Sequence, residues 1–240
     1  MAYKYEIHVH TAESSFCGVA TACEQVNLYK ERGYQGIIVT DHFINSSSTS
    51  PVKFDWNSTA FDWEESMKFV VAGYEAAKAE GEKIDFDVFF GWEFMVKGTG
   101  TDLLTYGLEP EFLLEHPYIH TLDLAAYSEL IRSHGGFITQ AHPYRNRPYI
   151  KSVGPVDPVF IDAVEVFNAA DPDEVNDLAL AFAKEHGLPM QAGSDSHHVE
   201  IPFASGIVLD KRATSSQDII EAIKKGHATL ILPDKGGVSQ

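Results

Sequence analysis

Short apolar runs alternate along the chain with longer stretches of helical periodicity. Runs such as Gly36-Ile-Ile-Val-Thr40 and Asp87-Val-Phe-Phe-Gly-Trp92 lack polar alternation, which suits strands buried on both faces of a parallel sheet. The pattern predicts strands over Tyr3–His10, Gly36–Asp41, Asp87–Phe94, Asp102–Leu108, Gly136–Ala141, Ala163–Asn168, Pro189–Gly193 and Gly206–Asp210. Helices are predicted over Thr21–Arg32, Trp63–Glu80 and Asp123–His134, with Gly33, Gly81 and Gly135-Gly136 as their stops. A further helix has Asp171 as its cap, Pro172 at its first position and Glu174 three residues after the cap, and ends at Gly187. Ser215 and Gly226 bracket the last one.

Repeated βα alternation predicts an α/β fold. No linker demands a boundary, so residues 1–240 read as a single domain, with a core over about 3–226 and a C-terminal extension over 227–240. Asn45–Thr59, which holds Ser46-Ser47-Ser48-Thr49-Ser50-Pro51 and then Phe54, Asp55 and Trp56, reads as a long polar loop. It is either a solvated insertion or a lid over a site.

Composition narrows the function classes. At 44% hydrophobic the chain has an ordinary globular make-up. Lys and Arg number 18 against 35 Asp and Glu, a net charge of −17. That balance disfavours nucleic acid and anionic membranes as partners, because such binding rests on neutralising phosphates. Cys17 and Cys23 form neither a disulfide framework nor a CxxC pair. The first residues lack the apolar run of a signal peptide, and no stretch is long enough for a membrane span, so a cytoplasmic location is expected.

The candidate chemistry lies at predicted strand ends. His8 and His10 close the first strand at i and i+2, where side chains share a face and both imidazoles reach one ion. His42 follows the second strand, Glu93 ends the third, His142 follows the fifth, and Asp195 and His197 follow the seventh. In a barrel of parallel βα units all these ends meet at one face. The resulting set exceeds the three or four protein ligands of a single ion, so two or three ions are expected. Of the other histidines, His134 and His186 sit in last helical turns, suited to the helix dipole. His198 points away, His116 and His227 have no such placement, and His120 is left open.

The motifs His8-Val-His10-Thr11, Thr40-Asp41-His42, Gly91-Trp92-Glu93, Ala141-His142-Pro143 and Gly193-Ser194-Asp195-Ser196-His197 resemble, in order, those of the polymerase-and-histidinol-phosphatase (PHP) family. The resemblance spans about residues 5–210. It implies a distorted (β/α)7 TIM-like barrel holding a di- or trinuclear centre of Mn, Zn or Fe, with His8, His10, His42, Glu93, His142, Asp195 and His197 as ligands. Members hydrolyse phosphate esters, and a smaller set hydrolyses other esters or carbamates. Two positions depart from the pattern. Where members place an Asp or His before Gly in the first motif, this chain has Ser15 and Phe16, with Cys17-Gly18 just beyond. Glu13 or Cys17 is left to supply that ligand, Glu13 being the first choice. A carboxylate suits Mn or Fe and a thiolate a softer ion such as Zn. Where members often carry a strand of the His-Leu-Leu-Gly-Tyr type, this chain has Asp102-Leu-Leu-Thr-Tyr106, so Asp102 replaces the imidazole as a candidate ligand.

The expected reaction is hydrolysis of a small phosphomonoester by metal-activated water. His42, His142, Asp195 and Arg145 are the candidate catalytic residues, Arg145 as a bidentate grip on phosphate. Arg147 reads as a surface residue, Tyr144 as lining or packing, and Glu165 and Asn168 as groups that orient ligands from behind. Specificity is expected in Asn45–Thr59, Gly98–Thr101 and residues 109–121. Rival readings are hydrolysis of non-phosphate esters, amides or carbamates at the same site, and a non-catalytic metal-binding module.

Overall fold

The computed structural model describes residues 2–43, 59–95, 101–148, 150, 153–201 and 203–233. The loop expected at Asn45–Thr59 lies outside them apart from Thr59, as do residues 98–100 of the second specificity loop.

Strands β1 (Tyr3–Val9), β2 (Gly36–Val39), β3 (Asp87–Met95), β4 (Asp102–Tyr106), β5 (Phe137–Gln140), β6 (Ala163–Asn168), β7 (Met190–Gly193) and β8 (Gly206–Leu209) lie close to their predicted bounds. A further strand, β9 (Thr229–Ile231), falls in the segment read as a C-terminal extension and pairs with β8. The helices are α1 (Ala22–Glu31), α2 (Trp63–Ile84), α3 (Glu111–Glu115), α4 (Leu124–Ser133), α5 (Asp173–His186) and α6 (Ser216–Lys224). No helix among the described residues is long and apolar enough to cross a membrane.

The strands form one 9-stranded sheet in the order β7-β6-β5-β4-β3-β2-β1-β8-β9. Its β7 edge swings back to β1, where Val9 bridges Ser196 in parallel and the His10 N–H donates to the Ser196 carbonyl at 2.9 Å. The sheet is thereby nearly closed, like a barrel. Parallel pairing holds for β1/β2, β2/β3, β5/β6 and β6/β7. It fails for β3/β4, β4/β5, β1/β8 and β8/β9, which are antiparallel. A parallel neighbour needs a crossover of about a dozen residues or more. Only residues 96–101 join β3 to β4, so β4 turns straight back. Of the distorted (β/α)7 barrel expected, the structure shows a mixed α/β fold whose nearly closed, barrel-like sheet has nine strands among the described residues. The reversal matters for the site, because it sets Asp102, the first residue of β4, opposite Met95 at the carboxyl end of β3.

Side-chain caps start four helices. Thr21 and Ser215 make capping boxes with Glu24 and Asp218, while Asp62 and Asp123 accept from Glu65 N and Ala126 N. Two predicted ends differ. Helix α2 runs through Gly81 to a left-handed cap at Asp85. Gly81 is there because a Cβ would come within 2.6 Å of the Phe86 carbonyl and 2.9 Å of the Val88 side chain. Asp171 does not cap α5, whose N-cap is Pro172 without a side-chain bond; its carboxylate accepts from Arg145 instead.

Two apolar clusters hold the layers together. One joins the sheet, through Val9, Ile37, Val39, Trp92, Phe94 and Val164, to the surrounding helices. The other links Tyr5, Ile7, Ile38, Leu104 and Phe137 to Ile219, Ile220 and Ile223 of α6. Helix α6 closes the end where β4 finishes and β5 begins, with Gln217 Nε2 donating to the carbonyls of Gly107 and Gly135. The opposite end is left to the polar residues. Within the first cluster the buried Tyr127 hydroxyl accepts from Trp92 Nε1 at 2.8 Å and lies 2.8 Å from Thr105 Oγ1. Tyr127→Phe leaves the indole N–H buried without a partner, so a loss of about 1–3 kcal/mol is expected in urea unfolding with an unchanged m-value.

Candidate metal centre

The site begins with period-two alternation at the end of β1. Glu6, His8 and His10 share a face, and all three are fully buried. The Glu6 carboxylate accepts from the N–H groups of Ile7 (2.9 Å), His8 (3.0 Å) and Ser194 (3.0 Å), and from the Ser194 hydroxyl. Glu6 therefore ties the end of β1 to the chain leaving β7 and brings His8 beside Asp195. Burial pushes its carboxyl up to about 7, against the opposing pull of the Ser194 donors.

Glu93 is the hub. Its Oε1 lies 3.1 Å from His142 Nε2 and 3.6 Å from His8 Nε2, and its Oε2 lies 2.8 Å from His42 Nδ1 and 3.4 Å from His10 Nε2. Asp195 Oδ1 lies 3.2 Å from His10 Nε2 and 3.4 Å from His8 Nε2. The His10 ring is 4.5 Å from that of His42 and 4.2 Å from that of His197. Three overlapping sets offer donor atoms within 4.8 Å of one another: His10–His42–His197, His8–Glu93–His142 and His8–His10–Asp195. The donor chemistry fits divalent ions. His8 Nε2, His10 Nε2 and Asp102 Oδ1 are buried with no hydrogen-bond partner. Such groups are costly to leave bare, and cations placed among them would satisfy all three.

The outward-facing ring nitrogens are fixed from behind. His8 Nδ1 lies 2.8 Å from Glu165 Oε1, while Glu165 Oε2 accepts from His142 N (3.0 Å) and Asn168 Nδ2 (2.9 Å). His10 Nδ1 lies 3.1 Å from Ser15 Oγ, which donates to Asp41 Oδ1 at 2.7 Å. His197 Nδ1 meets the Asp195 carbonyl at 2.9 Å. In each of these three rings the nitrogen left over points to the cluster. Burial alone would discharge the His8 imidazole, but the Glu165 and Asp195 carboxylates outweigh it and hold its pKa well above the ordinary value. Burial and the neighbouring His197 and His42 push His10 well below its ordinary value. Burial raises Glu93 and Asp195, yet the surrounding imidazoles, with Arg145 for Asp195, leave both well below the usual carboxylate range. Burial and the Glu93 charge push Asp102 up to about 7.

His142 and Asp195 have positive φ, 28° and 52°, outside the usual range for residues with a Cβ. Both stand where the chain leaves a strand for the mouth, and the hydrogen bonds of Glu165 and Asn168 hold them there. Such strain costs on the order of 1–3 kcal/mol and persists only where surrounding structure enforces it.

The remaining expectations divide. Asp102 Oδ2 lies 4.0 Å from His142 Nε2, at the cluster. Glu13 does not join it: both its oxygens accept from Ala22 N, at 2.9 and 3.1 Å, in the first turn of α1. Cys17 does come up against it, its Sγ 3.1 Å from His197 Nε2. Burial raises the thiol, but His197 and His42 bring it down to about 7. Arg145, expected to grip phosphate, is committed to acceptors of the protein: Nε to Asp171 Oδ1 (2.8 Å), Nη1 to Asp195 Oδ2 (2.7 Å) and Nη2 to Asn168 Oδ1 (3.0 Å). Arg147 is exposed, and Tyr144 packs at the edge of the main apolar cluster. His120 is buried among Phe61, Trp63 and Tyr118. Sequence reasoning missed Glu6, which looks like an ordinary strand residue, and the supporting roles of Ser15, noted only as a departure from the motif, and of Asp171, read as a helix cap. Gly73 was a further signal. A Cβ there would strike Thr11 Oγ1 and Asp41 Oδ2, so α2 can pass behind the site only with glycine.

Zn2+ or Mn2+ at about 100 times its Kd should raise the unfolding free energy by about 2.7 kcal/mol, readable in thermal melts. Glu165→Gln, which loosens His8 and His142 together, should weaken metal affinity by about 10–100-fold in equilibrium dialysis.

Residues 173–228 match the PHP_C family model, described as PHP-associated. The sequence matches no curated protein. Among solved structures, a two-domain protein from Bacteroides vulgatus containing a predicted PHP-like metal-dependent phosphoesterase superposes with a TM-score of 0.65 at 17% identity, over 96% of this chain and 65% of that one. This chain thus spans about two thirds of that protein's length. An amidohydrolase from Chromobacterium violaceum, with bound sulfate and no metal, gives a TM-score of 0.57 at 13% identity over 94% of this chain and 97% of that one. A lesion-specific endonuclease from Pyrococcus furiosus gives 0.59 at 13% identity over 97% and 58%. The chain thus matches a PHP-associated model over residues 173–228 and shares its fold with a protein that contains a predicted PHP-like metal-dependent phosphoesterase.

Proposed function

We propose that the protein is a metal-dependent hydrolase of the PHP family acting on small phosphate monoesters. One observation carries this reading: imidazoles and carboxylates from separate strands converge on one mouth and leave buried His8 and His10 nitrogens unpartnered. Divalent ions bound there would supply an activated water and neutralise charge on a phosphoryl group. The protein's own groups do the positioning. Glu165 and Asn168 orient His8 and hold the His142 turn, Ser15 and Asp41 orient His10, and Arg145 clamps Asp195 against Asn168. Helix α6 and the apolar clusters keep water from the floor of the barrel.

The commitment of Arg145 favours a second reading, hydrolysis of a non-phosphate ester or amide at the same mouth, and the amidohydrolase with this fold agrees with it. Nuclease action fits poorly with a charge of −17, although an endonuclease shares the fold.

Turnover across a phosphomonoester panel should depend on added Mn2+ or Zn2+ and should fall at least about a hundredfold in His142→Ala. Activity that survives complete metal removal would sink the proposal. Strong inhibition by phosphate or vanadate supports the phosphoesterase reading, and weak inhibition moves the assignment to the second. With Arg145 acting on Asp195, Arg145→Lys should lower kcat and metal affinity while KM stays nearly constant. A rise in KM alone would return Arg145 to substrate binding.

A further inference from the structure

Cys17 stands beside His197 and Asp102 beside His142, and the carboxylates of Glu93 and Asp195 run between them. At one end the nitrogens of His10, His42 and His197 lie within 4.8 Å of one another, and Cys17 Sγ stands 3.1 Å from His197 Nε2. At the other end His8 and His142 are joined by Glu93, with Asp102 beside His142. Glu93 and Asp195 span the two: Glu93 Oε2 lies 2.8 Å from His42 Nδ1 and 3.4 Å from His10 Nε2, and Asp195 Oδ1 reaches both His8 and His10.

The position of Cys17 is set by backbone. The N–H groups of Val19 and Ala20 both donate to the His197 carbonyl, at 2.8 and 3.0 Å, stitching the loop after β1 to the segment after β7. Gly18 packs so closely on the Thr11 backbone that no side chain fits there, which folds the loop back over β1. Glu13 does not compete for the place, because it is turned onto Ala22 N. The neighbouring His10 Nε2 is fully buried without a hydrogen-bond partner, and the His10 ring lies 4.2 Å from that of His197, which Cys17 meets.

We infer that the centre is heteronuclear: Cys17 thiolate joins the imidazoles of His10, His42 and His197 and biases that end toward zinc, while the end that carries Asp102 takes a harder ion such as Mn2+ or Fe2+. Soft thiolate and imidazole donors favour zinc. Carboxylate oxygens favour the harder ions. Binding exchanges the Cys17 thiol proton for the metal and releases that proton to solvent. The inference rests on the metal-centre reading proposed above.

Three readouts test it on the metal-free full chain, in wild type, Cys17→Ser and Cys17→Asp. Cobalt titration should produce sulfur-to-cobalt charge-transfer absorption in the near ultraviolet in wild type and in neither variant. Zinc should protect Cys17 from alkylation while exposed Cys23 stays reactive as the internal reference. In equilibrium dialysis Cys17→Ser should weaken one zinc equivalent by at least about tenfold and leave manganese binding at the other end intact. Cys17→Asp should keep an ion at that place and shift its preference from zinc toward manganese, which separates loss of the thiolate from loss of folding. Cobalt d–d bands without charge transfer, with Cys17 alkylated equally fast in loaded and metal-free protein, would overturn the inference and leave the metal centre standing. Failure of every divalent ion to bind would overturn both.

Discussion

Desolvation at the open end of the barrel is the constraint on which the rest of the structure depends. Glu93, Asp195, His8 and His10 are almost wholly out of water. An isolated charge there would cost far more than the whole fold is worth, so each group must be answered by another. The answers are partly internal: Glu93 and Asp195 face His8, His10, His42 and His142, and Arg145 backs Asp195. The Nε2 atoms of His8 and His10 meet these carboxylates at ion-pair distance but make no hydrogen bond, so the network leaves donor atoms to spare.

The surrounding architecture follows from holding that network rigid. Glu6 and Ser194 lock β1 to the chain after β7, and the Val9–Ser196 bridge nearly closes the sheet at the same point. Asp41, through Ser15, connects β2 to His10, and Gly73 lets α2 lie against both Thr11 and Asp41. The left-handed turns at His142 and Asp195 store strain where those residues leave their strands. At the far end, α6 seals the barrel with apolar side chains and contributes nothing polar to the mouth. Polar and apolar ends are thus separated along one barrel axis.

Much of this was legible in the sequence because strand ends carry a local signal. The apolar runs marked β1 to β8 closely, and HxH spacing in β1 put two imidazoles on one face through alternation alone. The mixed direction of the sheet was not legible, since Asp102-Leu-Leu-Thr-Tyr106 reads the same in either sense and only the short link from β3 reverses it. Asp171 has the sequence context of a helix cap, but capping is a local preference that a buried guanidinium overrode.

The sequence by itself marked strands β1 to β8, five of the helices and the polar residues at the strand ends, though not α3 or β9, because periodicity and residue type are properties of the chain. Tertiary structure alone decided which of two plausible donors reaches the cluster. Glu13 and Cys17 are four residues apart in one loop, and only the packing of Gly18 on Thr11 and the stitching of Val19 and Ala20 to His197 turn the thiol inward and the carboxylate to α1. The same holds for Arg145, whose charge was evident but whose partners, Asp171, Asn168 and Asp195, come from segments that meet only in the folded barrel.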